Sequence, residues 1–291
     1  MISIEIISKG ESTLKDTLES IRRQNYEDYE IACAIGSDHP DRLNDLREYG
    51  CRIARVPSYA THMQARLMAH KISRGDFVLL LDSTRYLNPS MPDALRALVD
   101  ASRTHDMLVI REDTAGSGFW IRQAKTHNRA SERDFGRISS QPIAFLLPRW
   151  YPANLLSTAI GHLESRFGQN LDRVSYGEHQ LLFEECWRIS KSVGFVSERA
   201  IVHYGDRTLR RIARKYFWYG RSQTEFRNLG ATYTGSLGLH RRSALSLTER
   251  IATLPLVTAR TTAFASGYLL ASLGLVSSSP AGTPRTARVR R

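Results

Sequence analysis

Apolar and polar positions alternate along Ile2–Ile7, where β-branched residues dominate, and this reads as a strand. Behind Ser12 or Thr13 as a cap, Leu14, Leu18 and Ile21 recur at helical spacing. Glu30–Ile35 reads as a second short strand, running into the turn-rich loop GSDHPD. Cys51–Val56 follows as a third strand, and Met63–Ile72 is helical. Phe77 to Leu81 is five apolar residues in a row, the pattern of a strand buried on both faces of a parallel sheet. Pro92–Ala101 is another helix and Met107–Ile110 a fifth strand. Strands alternating with helices in this way predict an α/β fold with a doubly wound, mostly parallel sheet.

The second half is less regular. Residues 111–175, with the glycine turn AGSGFW and the polar stretch THNRASERDFGR, read as irregular. Helix resumes over Gln180–Ser190, a strand runs through Gly194–His203, and Thr208–Asn228 reads as a long basic, aromatic helix. The apolar segment 251–276 is long enough to span a bilayer, but Pro255 and Arg260 interrupt it, which predicts a pair of helices lying at a membrane interface. The closing SSSPAGTPRTARVRR reads as a disordered basic tail. The expected division is a domain over 1–205, a helical, membrane-proximal extension over 206–276, and the tail over 277–291.

Charge sharpens this. Across 291 residues, 41 Lys and Arg face 29 Asp and Glu, a net +12, which points to a polyanionic partner: nucleic acid, an anionic membrane face, or phosphate-bearing substrates. No helix-turn-helix, zinc-finger or RNA-binding signature accompanies the charge, so nucleic acid is not expected. Cys33, Cys51 and Cys186 show neither a disulfide framework nor zinc spacing, which suits a reducing compartment. MISIEIIS lacks the basic start and apolar core of a signal peptide. The expected location is cytoplasmic.

The candidate chemistry starts at Asp82, where the five-residue apolar run ends and Ser83 and Thr84 follow. A carboxylate there lies at the edge where open α/β sheets bind ligands, although an Asp in that place also caps turns. No Walker A loop, G-x-S-x-G elbow or HExxH is present. AGSGFWI lacks the third glycine of a dinucleotide fingerprint.

The order of several segments is more specific. ISIEIISKGESTLKDTLESIRRQNYEDYEI resembles the opening of family 2 glycosyltransferases: strand, loop, a helix ending in Ser-Ile-x-x-Gln, and an aromatic-acidic turn. MQARLMAHKISRGDFVLLLDST resembles their Ala-Arg helix, Gly-Asp turn and DxD-bearing strand. SYGEHQLLFEECWRISKSVGF sits at their Gly-Glu-Asp helix. REDTAGSGFW and VHYGDRTLRRIARKYFWYGRS are similar to segments of a prokaryotic, membrane-associated subset. Together these cover residues 2–228.

The resemblance implies a GT-A-like fold and transfer of a sugar from a nucleotide-diphosphate sugar to a lipid-linked or cell-envelope glycan. It implies inversion and a divalent metal, Mg²⁺ or Mn²⁺, acting on the leaving diphosphate. Asp82 is then a metal ligand, Thr84 stands where the second Asp of DxD is usual, and His203 is a further ligand. The base position is occupied by His179 with Glu178 before it, and either could take the acceptor proton. In Ala34–Asp38 an expected nucleobase-contacting Asp is replaced by Ile35, which leaves Ser37 and Asp38 as candidates. Ser8, Glu11, Glu112 and Gly118 fall in the matched segments and are candidates for substrate binding. Arg66 is the candidate for a diphosphate contact. Arg210 and Arg211 belong to a basic helix face, with Arg207, Arg214 and Arg221, suited to an anionic leaflet or acceptor phosphates. The departures at Ile35, Thr84 and His179 leave open a degenerate member that binds a nucleotide-sugar or glycan without transfer.

Overall fold

The computed structural model describes residues 1–133, 147–229 and 245–276. Four parallel strands form the first half of one sheet: β1 (Ile2–Ser8), β2 (Tyr29–Ile35), β3 (Arg52–Arg55) and β4 (Phe77–Asp82), ordered 3-2-1-4. Between them run α1 (Leu14–Arg22), α2 (Pro40–Glu48) and α3 (His62–Ile72). The sheet continues through β7 (Trp150–Pro152), β6 (Met107–Ala115), β8 (Val193–Tyr204) and β5 (Arg85–Leu87). β7 is antiparallel to β4, β8 is parallel to β6, and β5 is antiparallel to β8 at the far edge.

The five-residue apolar run of β4 does what its pattern demands. Leu79 and Leu81 join the core beneath α1, α2 and α4 (Ala94–Ala101), while Val78 and Leu80 join the core on the opposite face. Both faces are therefore covered, and Asp82 emerges at the strand end beside Ile7 of β1.

Three expectations are corrected. GSDHPD leads directly into α2, with Pro40 as its first residue, where the missing N–H costs nothing. The described residues of 111–175 are largely regular: β6 runs on to Ala115, and α5 (Phe119–Glu132), β7, α6 (Ala153–Phe167) and a 3₁₀ turn over Gly168–Arg173 follow. Leu155, Leu156, Ala159, Ile160 and Leu163 give α6 a buried stripe that was present in the sequence. Finally, the segment 251–276 is not a pair of helices. After α7 (Glu178–Ile189) and α8 (Leu209–Asn228), residues Leu247–Ser272 form one helix, α9, with Pro255 inside it. The N–H of Leu256 there donates to Gln123 Oε1 of α5 at 2.8 Å, a side-chain partner beside the proline. The tail over 277–291 lies outside the described residues. Among the described residues no helix is long and apolar enough to cross a membrane.

α8 and α9 cross at two glycines. A Cβ on Gly220 would lie 1.9 Å from the Phe264 carbonyl oxygen, and one on Gly267 2.0 Å from that of Phe217. Backbone meets backbone there, so no side chain can yield. Gly267→Val should overpack the crossing at ~1–3 kcal/mol or more. Thermal unfolding should show it as a melting temperature lower by several degrees, and an unchanged melt would contradict the crossing.

Candidate active site

A cleft of about 740 Å³ opens at the carboxyl ends of β1 and β4. Its walls come from the start of α7 and from α5, α8 and α9, so the C-terminal helices build part of the site. Tyr176 and Tyr219 stack within it, ring centroids 3.7 Å apart and nearly parallel, and Trp120 lines it too. Such rings offer flat apolar faces beside polar groups.

At its floor lies a chain of alternating charges. Asp82 Oδ1 accepts from the Thr84 N–H at 3.1 Å and from the Thr84 hydroxyl. Asp82 Oδ2 accepts from Arg85 Nη1. Arg85 Nε in turn donates to both Glu112 oxygens at 3.1 Å, and Arg149 Nε donates to Glu112 Oε1. The fold explains the convergence. β5 sets Arg85 opposite His203 of β8, and a register irregularity between Ile110 and Glu112 turns β6 as it passes. Such bulges re-aim side chains at functional edges. Arg149 enters β7 with its backbone bonded to Leu108 and Leu80, and its Nη1 donates to the Leu80 carbonyl at 3.2 Å.

Burial alone would raise the Asp82 carboxyl, but Arg85 and Arg149 hold it well below the usual carboxylate range. The same balance takes Glu112 from 4.5 to about 2: burial raises it, and Arg149 and Arg85 more than offset that. The unfolded chain therefore binds this proton first as pH falls. Glu112's stabilisation is complete above about pH 4.5 and is lost as pH falls toward 2, and a shift of this size corresponds to on the order of 3 kcal/mol. Glu112→Gln should melt lower at neutral pH and show a flatter acid limb of melting temperature than the parent chain. An equally steep limb would mean other carboxylates set it.

The start of α7 carries the second cluster. Gly177 precedes it with φ +91°, and a Cβ there would meet the Phe226 ring at 2.8 Å, so glycine is required on both counts. Glu178 and His179 both line the cleft, with Glu178 Oε1 3.7 Å from His179 Nε2. Arg66 Nη2 lies 3.1 Å from that same Nε2. Guanidinium can only donate, so Nε2 must accept and the neutral ring carries its proton on Nδ1. Nδ1 is buried with no partner among the described residues. Burial first, then Arg66 and Arg149, hold the imidazole well below its usual range. His179 thus has no spare lone pair in this arrangement, and Glu178 is left with an acceptor facing the cleft.

Arg66 is fully buried. Its Nη1 donates to the carbonyls of Glu5 and Leu81, at 3.2 and 3.0 Å. It ties β1, β4 and His179 together from beneath, and it is not among the groups that wall the cleft. Ser8 and Glu11 do line it: Glu11 Oε2 accepts from Ser8 Oγ at 2.9 Å, the Lys9 N–H at 2.8 Å and Ser83 Oγ at 2.5 Å. Glu11 therefore staples the loop after β1 to the end of β4. Glu112, Thr84, His203 and Arg211 also line the cleft, whereas Ser37, Asp38, Gly118 and Arg210 stand outside its wall. Asp38 is almost wholly exposed, 3.7 Å from Arg55. The sequence reading missed Arg85 and Arg149, whose only signal was Arg85's place three residues beyond Asp82.

The expected metal ligands can be tested against this geometry. Mg²⁺ and Mn²⁺ take about six hard, mostly oxygen donors. Both Asp82 oxygens are engaged, the Thr84 hydroxyl is turned toward Asp82, and Glu112 is held by two arginines. Among the described residues no three His, Cys, Asp or Glu side chains converge on a point that could hold a metal ion. A guanidinium stands where the sequence led us to expect a dication, and the donor set as arranged does not fit one.

Residues 3–154, just over half the chain, match the model of the family described as glycosyl transferase family 2. The chain belongs to that family. No curated protein sequence matches it. Among solved structures, this family 2 chain is similar to S. aureus TarS 1–349 in complex with UDP-GlcNAc. That match has TM-score 0.51 at 12% identity and covers 94% of this chain and 92% of the other. The mannosyltransferase PcManGT from Pyrobaculum calidifontis, in complex with GDP-Man and Mn²⁺, aligns with TM-score 0.50 at 15% identity, over 94% of this chain and 78% of that one. Of the longer S. aureus TarS structure, the chain spans only 55%. At these identities the likeness carries the GT-A fold.

Proposed function

We propose that this chain transfers a sugar from a nucleotide-diphosphate sugar to a hydroxyl of a lipid-linked or cell-envelope glycan, with inversion. The observation that carries the reading is the meeting of the Glu178 carboxylate with a floor of arginines paired to carboxylates, in a cleft at the strand ends. Glu178 is the base. It takes the acceptor hydroxyl's proton as that oxygen attacks the anomeric carbon. The bond from that carbon to the diphosphate breaks, and the electron pair leaves with the diphosphate. One displacement inverts the centre. Thermal shift with a panel of nucleotide-sugars tests the donor half, because a ligand bound only by the native state must raise its stability. A panel in which no nucleotide-sugar raises the melting temperature would count against it.

The acceptor half rests on the C-terminal helices. Arg207, Arg210, Arg211 and Arg214 are exposed around the start of α8. α9 exposes Leu247, Ile251 and Leu254 at one end and Leu269 at the other, with exposed Leu273 just beyond it. Exposed leucines beside arginines suit a peripheral seat on an anionic leaflet, where each surface Lys or Arg contributes about 1 kcal/mol. The enzyme would then work on the inner face of the cell membrane, without nucleic acid. In vesicle flotation, binding should need anionic lipid, weaken in high salt and drop when Arg210, Arg211 and Arg214 become Ser. Equal recovery on neutral and anionic vesicles contradicts this placement.

A further inference from the structure

We propose that Arg85 takes the place of a divalent cation in this chain: held between Asp82 and Glu112, its guanidinium meets the donor's diphosphate, so donor binding needs no metal. The inference rests on the nucleotide-sugar reading above and deepens it.

Three features of the floor support it. First, the guanidinium is fixed from two sides, Nη1 on Asp82 and Nε on Glu112, which sets its plane and leaves Nη2 with no partner among the described residues. Arg85 lines the cleft, so that free edge is within reach of a ligand there. A planar fork held by carboxylates along one edge can still present its other N–H groups to phosphate oxygens. Second, the charges balance. Asp82 and Glu112 are matched by Arg85 and Arg149, and His203, close by on β8, is kept neutral by burial and by Arg85. Two bare carboxylates would attract a dication, but this neutral quartet does not. An arriving diphosphate instead finds Arg85 together with Lys215, Arg211 and Arg260 around the same cleft. Third, the residue two places after Asp82 is Thr84, and its hydroxyl donates to Asp82. That bond braces the carboxylate for Arg85.

Lysine could supply the charge but not this geometry. Its single ammonium cannot bridge two carboxylates and present a planar edge outward.

Isothermal titration of the full chain with UDP and with GDP, in excess EDTA and then in saturating Mn²⁺, tests the idea. The unmodified protein should bind one of the two in EDTA with a Kd within about threefold of its Mn²⁺ value, well under the tenfold that 1.4 kcal/mol represents. Arg85→Ala should weaken binding in EDTA at least about tenfold, the loss of a charge-assisted phosphate contact. Mn²⁺ should restore part of it, since Asp82 then loses its guanidinium partner and Glu112 keeps only Arg149. Arg85→Lys should fall between. If Arg85→Ala does not fold, the metal dependence of the unmodified protein still decides. Binding that appears only with metal overturns this inference and leaves the donor reading standing. An Arg85→Ala protein that binds normally in EDTA overturns it as well. Absence of binding to either nucleotide under both conditions overturns the inference together with the donor reading.

Discussion

Arg85→Ala is expected to slow sugar transfer by about 10²–10³-fold, the range found when one preorganised electrostatic donor to a developing negative charge is removed. On the proposal above, the leaving diphosphate gains charge as the glycosidic bond breaks, and Arg85, fixed by Asp82 and Glu112, is the cation set to meet it. The substitution also leaves Asp82 without its guanidinium partner and Glu112 with Arg149 alone. Removing one partner of a buried ion pair costs ~3–5 kcal/mol; these side chains keep 18–25% of their exposure, so a stability loss toward the lower end is expected. The two effects separate experimentally. A circular dichroism spectrum and melt report the folded fraction, and initial rates at saturating donor report the step itself. Rates within threefold of the parent in a folded Arg85→Ala protein would remove Arg85 from the mechanism. Asp82→Asn should act in the same direction, because it releases Nη1 and lets the fork turn.

Glu178→Gln should be as severe, lowering the rate by about 10²–10⁴-fold while binding donor normally, since general-base groups contribute on that scale. His179→Ala should behave differently. Its Nε2 is occupied by Arg66, so its loss leaves a buried donor unpaired, at ~1–3 kcal/mol of stability. The acid side of the pH–rate profile should therefore survive His179→Ala and disappear in Glu178→Gln. A profile whose acid limb vanishes with His179 instead would hand the base role to the imidazole.

Much of this was legible in the chain because local pattern and burial agree. The run Phe77–Leu81 needs both faces covered, and the sheet supplies cores on both sides. Asp82 closes that strand and lines the cleft at the sheet's edge. The basic helix was legible to within a residue, since Thr208 caps it by accepting from the Arg211 N–H. What stayed hidden was contact between segments. Arg85, Glu112 and Arg149 are spread over 65 positions and meet only because β5, β6 and β7 bring them together, and β5 and β7 are three residues each. No periodicity marks strands so short. His179 looked like a free imidazole because nothing in a sequence shows that Arg66, more than a hundred residues earlier, takes its lone pair. Pro255 reads as a break in α9, since the side chain of Gln123 that accepts from the N–H beside it comes from a different helix.

The most direct measurement is turnover. Purified full-length chain incubated with each of a set of UDP- and GDP-sugars should release free nucleoside diphosphate from at least one of them, slowly in water and faster with an anionic-vesicle extract carrying glycan acceptors. That release should persist in EDTA and fall by at least about 10²-fold in Glu178→Gln. If no nucleotide-sugar is consumed under any of these conditions, or if Glu178→Gln releases nucleoside diphosphate as fast as the parent chain, the account of this cleft as a site of glycosyl transfer is contradicted.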